Sequence, residues 1–485
     1  MAEAISASVP FLSALLVIFS FMNPVFSRTT PWTLETTTLD VSASLMKTLA
    51  ILSVDRQSLD SAIPESSSID AITLPLHSRE LLNGSATHED YRALTLARFA
   101  RDSARVESLS SKLNIAVKGI KKSDLTPLQT EDLEGSIVSG TSQGSGEYFS
   151  RVGIGKPPKS MYMVLDTGSD VTWVQCQPCT DCYSQTDPVF DPATSSTYSP
   201  LSCQSTHCKS LDVTACRNGS CLYQVSYGDG SYTVGDFVTE TVTFGDSGAG
   251  VNNIAIGCGH DNEGLFVGAA GLLGLGGGSL SFPSQIKASG FSYCLVDRDS
   301  TSTSTLQLGS SAPAGSVTAP LLRNRKLETF YYLGMTGISV GGRLLSIPPS
   351  SFSMDESGDG GIIVDCGTAV TRLQSDVYNA LRDAFVSGTQ NLPSTSGVAL
   401  FDTCYDLSSM SSVEVPTVSL HFPEDKKLQL PAKNYLIPVD SSGTFCFAFA
   451  PTSSPLSIIG NVQQQGTRVA FDLANSVVAF EPLKC

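Results

Sequence analysis

The sequence predicts a mainly β protein built from two similar lobes that face each other across a cleft. The segment at residues 163–174, MVLDTGSDVTWV, returns at residues 362–373 as IIVDCGTAVTRL, and each copy holds an Asp between two apolar runs. A second matched pair follows in the same order, GLLG at Gly271–Gly274 and SIIG at Ser457–Gly460. The chain has 485 residues, more than one hydrophobic core normally contains, so the paired motifs indicate a duplicated lobe.

The repeated motif is suited to hold a carboxylate at the end of a buried strand. In each copy an apolar run ends at Asp166 or Asp365, and Gly168 or Gly367 then lets the backbone turn tightly. If the lobes pack about a pseudo-two-fold axis, the two carboxylates meet at that axis. Carboxylates that close cannot both ionise, so they share a proton and supply an acid and a base in one site.

Composition argues against nucleic acid as a partner. The chain has 30 basic and 46 acidic residues, a net charge of −16, and its hydrophobic content of 41% is that of a globular protein. No apolar run after the first 27 residues is long enough to anchor the chain in a membrane. We therefore expect no nucleic-acid partner and no stable membrane anchor.

The first 140 residues are expected to be processing segments. Residues 1–27 contain an apolar block and a small-residue cleavage pattern typical of a secretory signal peptide, although Glu3 and the lack of early basic residues count against it. Residues 28–140 are expected to form a propeptide. Within it, residues 91–112 have helical apolar spacing at Leu94, Leu96, Phe99, Val106 and Leu109, interspersed with Arg92, Arg98, Arg101 and Arg105.

This arginine-bearing helix has two interpretations. It could be an ordinary solvated helix, or its basic face could cover an acidic cleft. Residues 141–485 carry 18 basic and 30 acidic residues, so a negative surface is present for it to meet.

The remainder of the chain is predicted to consist mostly of short strands. Residues 148–154 and 161–165 have strand patterns, separated by the turn at residues 155–158. The best helix pattern runs from Ser375 to Phe385, with Ser375 as the expected N-cap. We expect an N-terminal lobe at residues 141–335 and a C-terminal lobe at residues 336–485.

The cysteine content predicts disulfides. Thirteen cysteines are present, and Cys366, inside the second aspartate motif, is the expected unpaired one. The C-x₂-C-x₂-C spacing at Cys176, Cys179 and Cys182 could instead bind zinc, but the many additional cysteines favour disulfides. The sequence leaves the connectivity open among Cys176, Cys179, Cys182, Cys203, Cys208, Cys216, Cys221, Cys258, Cys294, Cys404, Cys446 and Cys485.

The two motifs resemble the catalytic motifs of the pepsin-like aspartic peptidases, over residues ~145–485. The Cys-rich insert at residues 176–221 is similar to that of the plant nepenthesin type. The resemblance implies the two-lobed pepsin-like fold, with Asp166 and Asp365 as catalytic residues that bind one water. It also implies supporting roles for the flanking motif residues, among which Cys366 replaces the usual Thr or Ser: Thr167, Gly168, Ser169, Cys366, Gly367 and Thr368.

The same resemblance assigns a substrate-binding flap. The alternating segment around Tyr227, Gly228, Asp229 and Gly230 has the pattern of a hairpin with a Gly-containing turn. In the family, the flap tyrosine is hydrogen-bonded to a tryptophan, and Trp173 stands at the matching place. The alternative is that Trp173 is a core residue, since a buried Trp usually finds a partner.

Two further motifs occur in the sequence. Residues 337–341 match G-x-S-x-G, but no helix signal follows, so we expect no serine nucleophile. Asn83 and Asn218 begin N-x-S glycosylation triplets, and Asn218 is expected to be exposed.

The sequence therefore predicts a secreted aspartic endopeptidase made as a zymogen, with an acid pH optimum and no metal or organic cofactor. The expected partners are protein or peptide substrates, and the expected state is a monomer. The destination is expected to be extracellular (the apoplast) or a compartment of the secretory pathway, the endoplasmic reticulum or vacuole. The alternative is a non-catalytic binding or inhibitor protein on the same fold.

Overall fold

The computed structural model describes residues 33–52, 72–79, 89–118, 148–227, 231–244, 249–264, 266, 268–297, 304–309 and 312–485. The expected signal peptide at residues 1–27, Asn83 and the flap tip Gly228, Asp229 and Gly230 lie outside the described residues. Residues Glu35–Cys485 form one compact unit. In the described part of the chain, no helix is both long enough and apolar enough to cross a membrane.

Before residue 140, the described residues form β1 (Thr36–Asp40), α1 (Val41–Ile51), β2 (Ile72–Ser78) and α2 (Tyr91–Lys118). The Asp40 side chain caps α1 by accepting a hydrogen bond from Ala43 N. The first half of the following region contains β3 (Tyr148–Ile154), β4 (Lys159–Asp166), β5 (Trp173–Gln175), β6 (Asp181–Cys182), β7 (Ser199–Pro200), α3 (Thr206–Ser210), β8 (Val213–Arg217), β9 (Ser220–Ser226), β10 (Tyr232–Phe244), β11 (Ala249–Glu263), β12 (Gly271–Gly274), α4 (Phe282–Gln285), β13 (Gly290–Cys294), β14 (Ser304–Leu308), β15 (Val317–Leu322) and β16 (Tyr332–Leu333).

The second half contains β17 (Gly337–Val340), β18 (Arg343–Leu344), β19 (Ile362–Val364), β20 (Thr371–Gln374), α5 (Ser375–Ser387), β21 (Ser394–Thr395), β22 (Cys404–Asp406), β23 (Ser412–Pro416), β24 (Val418–Phe422), β25 (Lys426–Gln429), β26 (Leu436–Pro438), β27 (Thr444–Phe447), β28 (Phe449–Thr452), β29 (Ser457–Ile459), α6 (Asn461–Gln464), β30 (Thr467–Asp472) and β31 (Val477–Pro482). Short 3₁₀ helices cover Pro192–Thr194, Pro349–Phe352 and Ala432–Asn434.

Most strands join one large sheet that closes on itself, while β18-β17-β24-β25 and β21-β22-β27-β26 form separate four-stranded sheets in the second half. This arrangement confirms the predicted mainly β, two-lobed architecture. One detail of the predicted helix is wrong: α5 begins at Ser375 itself, and its N-cap is Gln374, which makes no side-chain capping bond.

The duplication is visible in the strand pairing. In the first lobe, β12 runs parallel to β4 and antiparallel to β5, which sets Leu272 opposite Trp173. In the second lobe, β29 runs parallel to β19 and antiparallel to β20, which sets Ile458 opposite Arg372. Trp173 and Arg372 therefore occupy equivalent positions, each seven residues after the aspartate of its lobe.

The segment before residue 140 is integrated into both lobes, which the sequence pattern did not predict. Strand β1 pairs with β23, and β2 lies between β14 and β3. Leu74 and Leu76 of β2 are buried in the main hydrophobic core. This segment therefore contributes to the body of the fold as well as to the cleft.

Candidate active site

The two aspartates lie at equivalent strand ends. Asp166 is the last residue of β4, and its carbonyl accepts a hydrogen bond from Leu275 N, just after β12. Asp365 directly follows β19, and its N–H donates to the Ile459 carbonyl at the end of β29. The apolar-apolar-Gly segments that the sequence paired with the aspartates therefore support them directly.

Each carboxylate is held by the motif that contains it. Ser169 Oγ donates to Asp166 Oδ2 at 2.6 Å, and Thr368 Oγ1 donates to Asp365 Oδ2 at 2.6 Å. Gly168 N donates to Asp166 Oδ1 at 2.8 Å. The outer oxygens are thus fixed by hydroxyls in the same way in both lobes, and the Oδ1 atoms point towards the axis between them.

Thr167 connects the two lobes across the axis. Its hydroxyl donates to Asp365 Oδ1 at 2.9 Å and accepts a hydrogen bond from Cys366 N at 3.1 Å. Cys366 is a buried free thiol whose Sγ lies 3.5 Å from Thr167 Oγ1. Burial, together with the nearby Asp365 charge, raises the pKa of Cys366 to about 12, so the thiol stays protonated at acid and neutral pH.

The Cys366→Ser variant is expected to keep its activity within about threefold of the unchanged protein. Serine restores a stronger hydrogen-bonding group at a position where the thiol contributes only a weak contact. The rate of peptide cleavage at acid pH is the measurement, and complete loss of activity would contradict this role for Cys366.

The hydrogen bond between the predicted flap tyrosine and Trp173 is present. Trp173 Nε1 donates to the Tyr227 hydroxyl at 2.9 Å. Trp173 is fully buried, and its ring packs edge-on against Phe266 at 5.0 Å between centroids. The Trp173 side chain is therefore both a core residue and the support of Tyr227, and the two interpretations of this residue do not exclude each other.

Arg105, from α2, lies between the two carboxylates. Its Nη2 is 2.5 Å from Asp166 Oδ1 and 2.8 Å from Asp365 Oδ1, and its Nε is 2.8 Å from Asp365 Oδ2. Because Arg105 Nη2 contacts Oδ1 of both aspartates, the two Oδ1 atoms are no further apart than the sum of the two N–O distances. A single atom can therefore bridge Asp166 and Asp365, as the duplication predicted.

The charges in this cluster are mutually stabilised. Burial alone would lower the pKa of Arg105, but the charges of Asp166 and Asp365 raise it well above its ordinary value. Burial alone would likewise raise the pKa of Asp365, but Arg105 and the hydroxyls of Thr368 and Thr167 lower it. Arg105 and Asp365 are thus both charged at neutral pH.

Helix α2 fills the cleft on both sides of Arg105. Towards its N-terminus, Phe99 packs edge-on against Phe401 at 4.8 Å between ring centroids. Towards its C-terminus, Leu109 and Leu113 pack in a buried cluster with Phe330. Gly168 and Gly367 make room for the guanidinium, because a Cβ on Gly168 would lie 2.6 Å from Arg105 Nη2 and one on Gly367 would overlap the Arg105 side chain.

The twelve cysteines expected to be oxidised form six disulfides, namely Cys176–Cys258, Cys179–Cys182, Cys203–Cys216, Cys208–Cys221, Cys294–Cys485 and Cys404–Cys446. No group of three or more metal-ligating side chains suited to a metal ion occurs among the residues that the structure describes.

The remaining sequence patterns lie away from the aspartates. Asn218 is exposed, in the turn between β8 and β9. Ser339 of the G-x-S-x-G match lies buried inside β17, where its hydroxyl is 2.8 Å from His421 Nε2. A serine inside a sheet, with no helix after it, lacks the exposed turn that a nucleophile needs.

Sequence reasoning missed the specific role of Arg105. It identified four arginines on the helix and a possible acidic partner, but it did not select the arginine that contacts the aspartates. It also missed Asp102 and Arg372, which form an ion pair at 2.6 Å between α2 and the second lobe.

Comparison with known proteins agrees with the geometry. The chain matches the family models described as "Xylanase inhibitor N-terminal", over residues 148–310, and "Xylanase inhibitor C-terminal", over residues 330–482. It is 51% identical over 405 residues to "Protein ASPARTIC PROTEASE IN GUARD CELL 2" of Arabidopsis thaliana, covering 83% of this chain and 85% of that protein. It is 45% identical over 352 residues to "Aspartic proteinase nepenthesin-2" of Nepenthes gracilis, covering 70% of this chain and 78% of that protein.

Solved structures share the fold at low identity. The "Crystal structure of edgp" superposes with a TM-score of 0.60 at 18% identity, covering 86% of this chain and 96% of that one. The soybean Basic 7S globulin superposes with a TM-score of 0.58 at 18% identity, covering 85% of this chain and 97% of that one.

Proposed function

The chain belongs to the plant pepsin-like aspartic proteases of the nepenthesin type, and from this premise we propose that it is an acid endopeptidase made as a zymogen that its own helix α2 inhibits. The observation that carries the proposal is the position of Arg105, between Asp166 and Asp365. The chemistry of the mature site and the latency of the precursor follow from the same geometry.

In the mature enzyme, Asp166 and Asp365 would activate one water together. With one proton between them, the ionised carboxylate takes a proton from the water as its oxygen attacks the peptide carbonyl. The protonated partner donates a hydrogen bond to the developing oxyanion. Ser169 and Thr368 keep the outer oxygens fixed, so neither carboxylate needs to reorient during the reaction.

In the precursor, the Arg105 guanidinium would prevent this reaction for two reasons. Its Nη2 lies within hydrogen-bond distance of both inner oxygens, which is the position that the attacking water requires. It also favours two ionised carboxylates, whereas catalysis needs one of them protonated. Residues 28–140 are accordingly proposed to be the propeptide, and residues 141–335 and 336–485 the two lobes of the peptidase.

Acid would weaken this inhibition. Arg105 lowers the pKa of Asp365, so the ion pair contributes its full stability above the ordinary carboxyl pKa. That stability is lost as the pH falls through the lowered pKa of Asp365. Acid therefore both releases α2 and supplies the proton that the aspartate pair requires.

The rival function is a non-catalytic binding protein, which the name of the matched family models suggests. Against it, both Asp-x-Gly motifs are intact, and their carboxylates accept hydrogen bonds from Ser169 and Thr368. A binding protein would have no need for an internal cation that neutralises this pair. The peptidase function is favoured for this reason.

The disulfides and the nepenthesin relative indicate the secretory pathway. Within it, we propose residues 1–27 as the signal peptide, with the apoplast, the endoplasmic reticulum or the vacuole as the final location. Asn83 and Asn218 are proposed glycosylation sites, and the working state is proposed to be a monomer that acts on protein or peptide substrates.

The test is digestion of a denatured protein by the acid-treated precursor across a range of pH. We expect no cleavage by untreated precursor at neutral pH, cleavage after acid treatment with a maximum at acid pH, and inhibition by a statine-containing peptide. A rate maximum near pH 8, or cleavage that the inhibitor does not affect, would contradict the proposal.

A further inference from the structure

A carboxylate of α2 is bound in a site on the second lobe that the proposed catalytic mechanism does not use. Asp102 Oδ1 accepts hydrogen bonds from Ala369 N at 2.5 Å and Val370 N at 3.3 Å. Asp102 Oδ2 lies 2.6 Å from Arg372 Nη2. We call the two N–H groups and the Arg372 guanidinium the carboxylate cradle.

The carboxylate cradle is part of the cleft wall. Ala369 is four residues after Asp365, on the same turn that carries the catalytic motif. Arg372 occupies the position that Trp173 occupies in the first lobe. Arg372 lies opposite Ile458 of β29, as Trp173 lies opposite Leu272 of β12. Trp173 supports the flap tyrosine on one side of the cleft. The equivalent residue of the second lobe, Arg372, contacts Asp102 of α2, the helix that fills the cleft, so this position also faces the cleft and presents a cation.

Arg372 requires a partner when α2 leaves. Its Nη1 donates to the Val370 carbonyl at 3.0 Å, and its side chain is only 5% exposed with α2 in place. Within the described part of the chain, Asp102 is the only carboxylate within ion-pair distance of Arg372. A backbone carbonyl of a substrate could accept from the two N–H groups, but it would leave the guanidinium unpaired. A carboxylate satisfies all three donors.

We propose that the carboxylate cradle binds an Asp or Glu side chain of the substrate, so that Arg372 is a specificity-determining residue of the mature enzyme. This inference rests on the proposed function, and Asp102 is the internal mimic of that substrate residue.

The helix also indicates where the acidic residue lies in the substrate. Asp102 and Arg105 are three residues apart on α2, so their Cβ atoms are roughly 5–6 Å apart. Arg105 marks the position of the reacting bond. An extended peptide advances roughly 3.3 Å per residue, so the acidic side chain is expected about two residues from the scissile bond.

The test uses peptides of one sequence in which a reduced, uncleavable bond replaces the scissile bond. A single Asp is placed at each position in turn, with Asn at the same position as the neutral partner. Binding to the acid-treated protein is measured at pH 5, where an Asp side chain with a pKa of about 3.9 is mostly ionised. We expect the Asp peptide to bind about tenfold more tightly than the Asn peptide at one position, about two residues from the reduced bond. At every other position the two peptides should bind equally.

Variants identify the group responsible. Arg372→Gln is expected to reduce the Asp/Asn ratio, which is the affinity for the Asp peptide divided by that for the Asn peptide, to near one. Arg372→Lys is expected to retain part of the preference for Asp. The matched control is Arg382→Gln, which removes an arginine of α5 that pairs with Asp402. This control should leave the ratio of the Asp and Asn peptide affinities unchanged.

The outcomes separate this inference from the proposed function. An Asp/Asn ratio near one at every position of the unchanged protein, or a ratio that survives in Arg372→Gln, overturns the inference. If the Asp peptide is preferred but the parent peptide with a normal bond is not cleaved, the carboxylate cradle stands and the peptidase function fails.

Discussion

Replacing Asp166 with Asn is expected to lower kcat for peptide cleavage by about 10³-fold or more. An amide cannot take a proton from the attacking water, and it cannot share a proton with Asp365. Its carbonyl oxygen can take the place of Oδ1 and accept from Gly168 N, and its NH₂ group can donate to Ser169 Oγ in the place of Oδ2, so the motif should stay folded. The measurement is single-turnover cleavage of a fluorogenic peptide after acid treatment.

The control for this variant is Asp383→Asn, an exposed aspartate of α5 that pairs with Arg382 at 2.8 Å. Its activity should stay within about twofold of the unchanged protein, because surface ion pairs contribute little to stability. Binding of a statine-containing peptide reports whether the Asp166→Asn cleft is intact. Cleavage by Asp166→Asn within tenfold of the unchanged rate would show that the aspartate pair is not the catalytic centre.

The aspartate pair could be predicted because duplication leaves a signal along the chain. Two motifs recur in the same order in each half, and equal lobes bring equivalent strand ends together. The pairing of β4 with β12 and of β19 with β29 is the structural form of that repeat. A local pattern was sufficient here because each motif supports the carboxylate that it contains.

The inhibitory contact could not be selected from the sequence, because it depends on how the helix docks. Arg92 and Arg105 lie on the same helix and have the same chemistry. Arg92 has a side chain 49% exposed, 3.6 Å from Asp440, while that of Arg105 is 6% exposed between two carboxylates. Helical periodicity alone does not distinguish these environments.

Strand β2 was missed for a different reason. Its sequence, ITLPLHS, contains Pro75, and proline disfavours a strand with partners on both sides. In the structure, β14 pairs with Ile72–Leu76, while β3 pairs only with His77 and Ser78. The edge at Pro75 is therefore left outside the β3 ladder, where a residue without an N–H is tolerated.

The disulfide connectivity was also beyond the sequence. Within the Cys-rich insert, the antiparallel pairing of β8 with β9 sets Cys216 opposite Cys221. These two cysteines are nevertheless bonded to residues outside the hairpin, in Cys203–Cys216 and Cys208–Cys221, so proximity along the hairpin does not give the connectivity.

Replacing Arg105 with Met is expected to open the cleft of the precursor at a higher pH than in the unchanged protein. Met has similar length but no charge, so it leaves the aspartate pair without the cation that lowers the pKa of Asp365. In the unchanged precursor, the ion cluster loses its stability only as the pH falls through the lowered pKa of Asp365. Without Arg105 the main cause of that lowering is removed, so Asp365 takes up a proton at higher pH and α2 loses its central anchor.

Binding of a statine-containing peptide to the precursor, measured against pH, reports this opening without depending on catalysis. The matched control is Arg92→Met, which removes an arginine of the same helix whose partner, Asp440, lies outside the aspartate cluster. The control should open at the same pH as the unchanged precursor. The ion pair of the half-exposed Arg92 with Asp440, at 3.6 Å, contributes little to the stability of the closed precursor. If Arg105→Met and Arg92→Met opened at the same pH as the unchanged precursor, the guanidinium would not be what keeps the enzyme latent. Latency would then rest on the apolar packing of Phe99, Leu109 and Leu113 in the cleft.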